Sequence, residues 1–149
     1  MPEKNESFCQ IDAAYSKTLA ETVAASGNAC VENLNAQNFP HDMTRANESV
    51  EIGTVHLDRK VTTQEVLAEL DRLGFRSANL LEALALSKKN PDLQSKFPLV
   101  VIGSSWEDKE GKVRFPVFEE DQDGRGVNLF HKAPGEQWAV HHRFLVVRK

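Results

Sequence analysis

Apolar residues change their spacing twice along this chain, and each change marks a different kind of element. Near the N-terminus Phe8, Ile11, Tyr15, Leu19 and Val23 recur every three or four residues, the period of one helix face, and Gly27-Asn28 supplies a stop. The expectation is an amphipathic helix over residues 5–26. A shorter helix is expected through Val31 and Leu34, and then a polar stretch in which Phe39, before Pro40, is a single buried anchor. Residues 41–49 are polar and read as irregular. Val50, Ile52 and Thr54 then alternate, with Val55 and Leu57 behind them, which predicts a first strand with Gly53 at a bulge.

The helical period returns after residue 60 with clear ends. Thr62 is an N-cap and Glu65, three positions on, completes a capping box. Val66, Leu67, Leu70 and Leu73 make the apolar face, and Gly74 closes the helix. Phe75-Arg76 leads to Ser77, a second N-cap. Leu80, Leu81, Leu84 and Ala85 form the next apolar face, which Asn90-Pro91 ends. Leu93 and Phe97 anchor a short turn before Pro98.

From residue 99 onward the pattern is that of strands. Residues 99–102 are apolar without interruption, as in a central strand covered on both faces. Residues 107–111 are polar and read as a solvated hairpin tip. Val113, Phe115 and Val117 alternate with Arg114 and Pro116, and the proline assigns this strand to an edge or a bulge. An acidic, glycine-bearing loop is expected over residues 119–126, a short strand at Val127, Leu129 and Phe130, a turn at Pro134-Gly135, and a final strand over 140–147. The fold class is therefore α+β. Two helices pack on a predominantly antiparallel C-terminal sheet in a main domain over residues 50–149, and an N-terminal helical segment over 1–49 packs on it.

Composition narrows the function classes. The chain has 149 residues, a single-domain length that buries roughly 70% of the unfolded surface. Apolar residues make 40% and charged residues 27%, a globular balance. A net charge of −4 and the lack of a Lys/Arg cluster with interleaved aromatics argue against nucleic acid as the partner. No apolar run approaches the ~20 residues that span a bilayer, so no membrane partner is expected. The polar start Met1-Pro2-Glu3-Lys4 is unlike a secretory signal, and the expectation is a cytoplasmic protein. Cys9 and Cys30 lie in apolar company, outside any CxxC, and read as buried free thiols.

Three stretches resemble a known family. Residues 74–84, with Gly74, Phe75, Arg76, Ala78, Glu82 and Leu84, resemble the segment that opens the second helix in uncharacterised bacterial domains of the C-type-lectin-like fold. Gly103-Ser104-Ser105-Trp106 is similar to a strand end of those domains, and Arg143, Phe144, Val146 and Arg148 to their closing strand. The resemblance covers about residues 50–149 and implies a lectin-like shape and no activity. Calcium-dependent sugar binders of this fold use a Glu/Gln-Pro-Asn/Asp loop and a Trp-Asn-Asp strand, and the sheet region here has neither; Asn90-Pro91-Asp92 is the nearest string and sits at a helix end. The formylglycine-generating branch needs cysteines in its C-terminal half, whereas Cys9 and Cys30 are N-terminal.

Reactive residue types remain to be weighed. Glu119, Asp121, Asp123 and Gly124 occupy the first, third, fifth and sixth places of an EF-hand-like loop, but the twelfth is Phe130 where a glutamate is required. His141 and His142, adjacent on a strand, would point to opposite faces and share no metal. Ser104 and Ser105 follow Gly103 after a strand, without the second glycine of a nucleophile elbow. Trp106 and Trp138 lie near strand ends and are either core or contact surface. The leading expectation is a non-catalytic binding module for a protein or a small polar ligand, with Trp106, Arg125, His131 and Trp138 as its contact residues, and with no catalytic residue, metal or cofactor assigned. The second is a metal-dependent enzyme using His131, His141 or His142 with Asp121 or Asp123. The third is a structural or oligomerising protein, a homo-oligomer held through the N-terminal helix.

Overall fold

Two apolar strands without alternation organise the structure, because each must be covered on both faces. In the computed structural model, which describes residues 8–149 and, before them, only the backbone pairing of residues 4 and 5, these strands lie side by side in the middle of one large sheet. The elements in chain order are β1 (Lys4–Asn5), β2 (Cys9–Ala13), α1 (Leu19–Ser26), β3 (Ala29–Cys30), β4 (Glu48–His56), β5 (Val61–Thr62), α2 (Thr63–Leu73), β6 (Phe75–Ser77), α3 (Leu80–Lys89), α4 (Leu93–Lys96), β7 (Leu99–Val100), β8 (Trp106–Glu107), β9 (Val113–Asp121), β10 (Gly124–His131), β11 (Gln137–Trp138) and β12 (Arg143–Arg148). Among the described residues the sheet runs β1-β4-β12-β7-β9-β10-β3, with β2 also on β4, β6 on β12 and β8 on β9. Only β7 with β12 and β3 with β10 are parallel; the remaining pairs of this sheet are antiparallel. The fold is α+β.

Alternate side chains of the central strands feed two cores. Leu145 and Val147 of β12, with Leu99, Val101 and Phe118, join Leu19 of α1 and Leu80, Leu81 and Leu84 of α3. Phe144 and Val146, with Val100, Phe115 and Val117, join Val66 and Leu70 of α2 and Trp138. A sheet sandwiched in this way needs apolar residues on both sides, which is why residues 99–102 and 144–147 show no polar alternation.

The first fifty residues differ from the expected helical segment. Residues 9–13 are a strand, paired antiparallel with β4 from Cys9↔Ile52 to Ala13↔Glu48. Ile11, Ala13 and Tyr15 are buried at every second position, a period that the helical spacing of the same residues had masked. The helix begins only at Thr18, whose side chain caps Glu21 N–H while Glu21 caps back, and it ends at Gly27 in the left-handed region (φ 78°). No helix forms through Val31 and Leu34. There β3 pairs with β10, and a turn closes by Leu34 N–H donating to the Val31 carbonyl. The described residues of this stretch therefore share the sheet and the first core with the rest of the chain.

Further corrections concern single elements. Gly53 is not a bulge: β4 pairs with β12 in unbroken register, and glycine is required because the Phe8 ring lies 2.7 Å from where a Cβ would be. Leu67 lies outside the buried face of α2 and is 45% exposed. Ser77 ends β6, and Asn79 is the N-cap of α3. Strand β9 is internal, between β7 and β10, despite Pro116. The Pro116 carbonyl accepts from Val101 N–H at 3.0 Å, so its nitrogen also faces β7, at the end of that short ladder where no donor is needed. The expected loop 119–126 is the end of a hairpin with Asp121 opposite Gly124. Residues 140–142 form a turn, and the final strand starts at Arg143.

Candidate functional site

The four residues expected to touch a ligand do not converge. Trp138 is fully buried: β11 pairs with β5, its indole N–H donates to Thr63 Oγ1 at 3.0 Å, and Phe115, Phe144 and His142 meet it edge-on with ring centroids 5.5–6.2 Å away. It is a core residue, because an aromatic ring with its polar atom satisfied gains most when removed from water. Arg125 is committed to the scaffold. Its guanidinium donates to the Ser26 carbonyl at the end of α1 and to Ser87 Oγ of α3, both at 2.9 Å. Ser87 in turn belongs to a buried ring of hydrogen bonds with Asn28 and Gln94.

Trp106 and His131 do share a face, through a residue that sequence inspection passed over. Trp106 on β8 lies opposite Arg114 on β9, and His131 at the end of β10 lies opposite the same arginine. Directly opposed residues project from the same side of a sheet, so the three form a row about 10 Å across. Here α1, α3 and α4 no longer cover the sheet, and a groove of about 760 Å³ opens. Leu129, half-buried Trp106 and Arg114 line it, with Val31 and Asn33 and the turn at Asp108 and Lys109.

Hydrogen bonds brace the turn beside the groove. Asp108 Oδ1 accepts the backbone N–H groups of Glu110 and Lys112, each at 2.9 Å, and Oδ2 accepts Arg114 Nε–H at 2.8 Å. The Arg114 hydrogen bond, then that from Lys112 N–H, holds the Asp108 carboxyl below the usual carboxylate range. Gly111 at φ 81° permits the turn. Sequence reasoning missed Arg114, Asp108, Leu129 and Val31. Only the 38% exposure of Val31, an apolar residue without a core, marks it now, and no sequence pattern carried that information.

The histidines gather without forming a metal centre. His141 and His142 lie in the turn before β12, their rings stacked with centroids 4.5 Å apart, not on opposite faces of a strand. His56 Nε2 lies 2.8 Å from the Val140 carbonyl. His142 is buried against Phe130 and Trp138, and its Nδ1 has no hydrogen-bond partner. Burial first, then the neighbouring His141, lowers its pKa to about 4. Among the described residues no three His, Cys, Asp or Glu side chains come close enough to hold a metal ion. Asp121 and Asp123 stand at one end of β10 and His131 at the other, roughly 23 Å away. Asp121 Oδ1 accepts Asp123 N–H within the hairpin, and Asn128 Nδ2 donates to Glu119 Oε2 at 2.6 Å, so the acidic residues brace a turn.

Two other sequence features also have local explanations. Ser104 Oγ accepts Leu80 N–H at 2.8 Å, satisfying a free donor at the start of α3. Cys30, half-buried beside β10, has its thiol pushed up to about 11 by desolvation. Among the described residues no helix is long and apolar enough to cross a membrane. In comparisons with family models, curated proteins and solved structures, nothing matches this chain.

Proposed function

We propose that the protein is a non-catalytic binding module, lectin-like in shape, and that its ligand, a protein segment or a small polar molecule, sits in the groove between Trp106 and Leu129. One observation carries this reading: the groove sets an accessible indole beside an arginine and an apolar floor, the side-chain types that anchor binding energy. Its lining includes no serine, threonine, cysteine or histidine, so it offers no hydroxyl or thiol nucleophile and no imidazole base. The lectin-like description is supported by the order of elements, a strand, two helices and then a sheet closed by the C-terminal strand, and by the resemblance of residues 74–84, 103–106 and 143–148. No observation favours the metal-dependent reading, given the distance between Asp121 or Asp123 and His131.

A screen of mixed probes tests the groove while its ligand is unidentified. Isotope-labelled protein is followed by amide and indole chemical shifts against a library of monosaccharides, amino acids and short peptides. The expected result is a cluster of shifts at the Trp106 indole, Arg114 and Leu129, abolished by Trp106→Ala. Shifts centred elsewhere, or none from any probe, would overturn the proposal.

A further inference from the structure

The edge of β10 carries information that the groove's side chains do not. Strand β3 runs parallel to β10 with Ala29↔Gly126 and Cys30↔Val127, and Val31 N–H donates to the Val127 carbonyl. In a parallel ladder the next bond would run from Leu129 N–H to the Val31 carbonyl. That carbonyl instead accepts Leu34 N–H at 3.0 Å, because the chain turns away there. The ladder therefore stops one bond short, and it stops at the groove.

One further bond fixes which way the backbone of β10 points. Lys132 N–H donates to the Val113 carbonyl of β9. By alternation, Phe130 and Asn128 also turn their backbone groups toward β9, while Leu129 and His131 turn theirs outward. The partner of Leu129 on β9 is Pro116, whose own backbone groups face β7, so this pair exchanges no bonds. Leu129 and His131 thus present backbone donors and acceptors along the outer edge, beyond the end of β3, and the Leu129 side chain projects on the face shared with Trp106.

We propose that this edge receives an extended peptide segment of another protein, which adds as a strand beside Leu129 and His131 and places one apolar side chain against Leu129, Trp106 and Val31. The inference rests on the reading of the groove as a binding site and names the ligand class. Alternating donors and acceptors at strand spacing match an extended polypeptide backbone and not a sugar or a helix. A second copy of the chain fits less well. The free edge is about three residues, roughly 10 Å, and the turn at Val31–Asn33 walls it in. Strand pairing over so short a length falls well below the ~1,000 Å² that a stable dimer buries.

A twelve-residue random peptide library is panned on the full chain, and a selected peptide is synthesised and titrated. Amide hydrogen exchange on the wild-type complex should slow about tenfold or more at Leu129 and His131, with Asn128 and Phe130 unchanged. Leu129→Pro removes the outward donor without touching the β9 ladder and should weaken the peptide about tenfold, whereas Leu129→Val, which keeps the N–H, should bind within about threefold of wild type. The exchange measurement stands even if the proline variant does not fold. A peptide that perturbs Trp106 but leaves the Leu129 and His131 amides exchanging freely would overturn strand addition and leave the groove reading intact. So would failure to select any peptide while small probes still shift Trp106. Protection of these amides that grows with protein concentration alone, with a dimer mass in light scattering, would overturn it in favour of a second copy. Silence of Trp106 toward every probe would sink both proposals together.

Discussion

His142 shows how one buried side chain can carry a pH response. Packed among Phe130, Trp138 and His141, it is held neutral, with its pKa lowered to about 4. An unfolded imidazole titrates near 6.5, so between these values the unfolded chain binds a proton that the folded chain refuses. The stabilisation is complete above about pH 6.5 and is lost as pH falls toward 4, on the order of 3 kcal/mol in all. Urea midpoints between pH 7 and pH 4 should fall less steeply for His142→Phe than for wild type; parallel slopes would count against this account. The two tryptophans differ at the same scale. Trp138→Ala, which empties a site closed on every side, should cost about 3–5 kcal/mol in urea melts, while Trp106→Ala should cost far less.

Capping decides the helices, and one cap does more than capping. Glu82 accepts Asn79 N–H at the start of α3 and also receives two guanidinium bonds from Arg76 of β6, at 3.0 and 2.7 Å, with its own side chain fully buried. It ties helix to sheet. Glu82→Ala would leave Arg76 without its carboxylate and should destabilise by about 3–5 kcal/mol in denaturant titration; Glu82→Gln, which keeps one acceptor, should cost less. Local chemistry of this kind is readable in a sequence: the Thr62–Glu65 box, the Gly27 and Gly74 ends and the Asn90 stop all stand where expected. Spacing misleads where strand pairing overrides it. Residues 8–15 satisfy a helical and a two-residue period together, and β4 selects the second by burying Ile11 and Ala13.

Across the whole molecule, one sheet serves two cores, so the two faces should lose structure together. Single-tryptophan variants Trp106→Phe and Trp138→Phe leave one reporter on each side. In each variant the fluorescence midpoint in urea should coincide with the circular-dichroism midpoint of the same protein. Separate midpoints would show two folding units. The groove belongs to this scale too. It lies where the helices end and β3 leaves β10, which depends on how far each element extends and not on any one residue.

Helix α2 with both its ends, the stop of α3 at Asn90 and the two-sided burial of residues 99–102 and 144–147 follow from information carried within a few neighbouring residues, and so they are legible in the chain alone. Which side chains meet is set by strand register. A slip of one residue would turn Trp106, Arg114 and Leu129 to the opposite face. No local pattern encodes that Trp106 and His131 flank the same arginine, that Trp138 is sealed among Phe115, Phe130 and Phe144, or that the bond owed to Leu129 goes unmade. Those facts arise from pairings between different elements, some of them nearly a hundred positions apart, where the free energy lies in the contact and not in either segment.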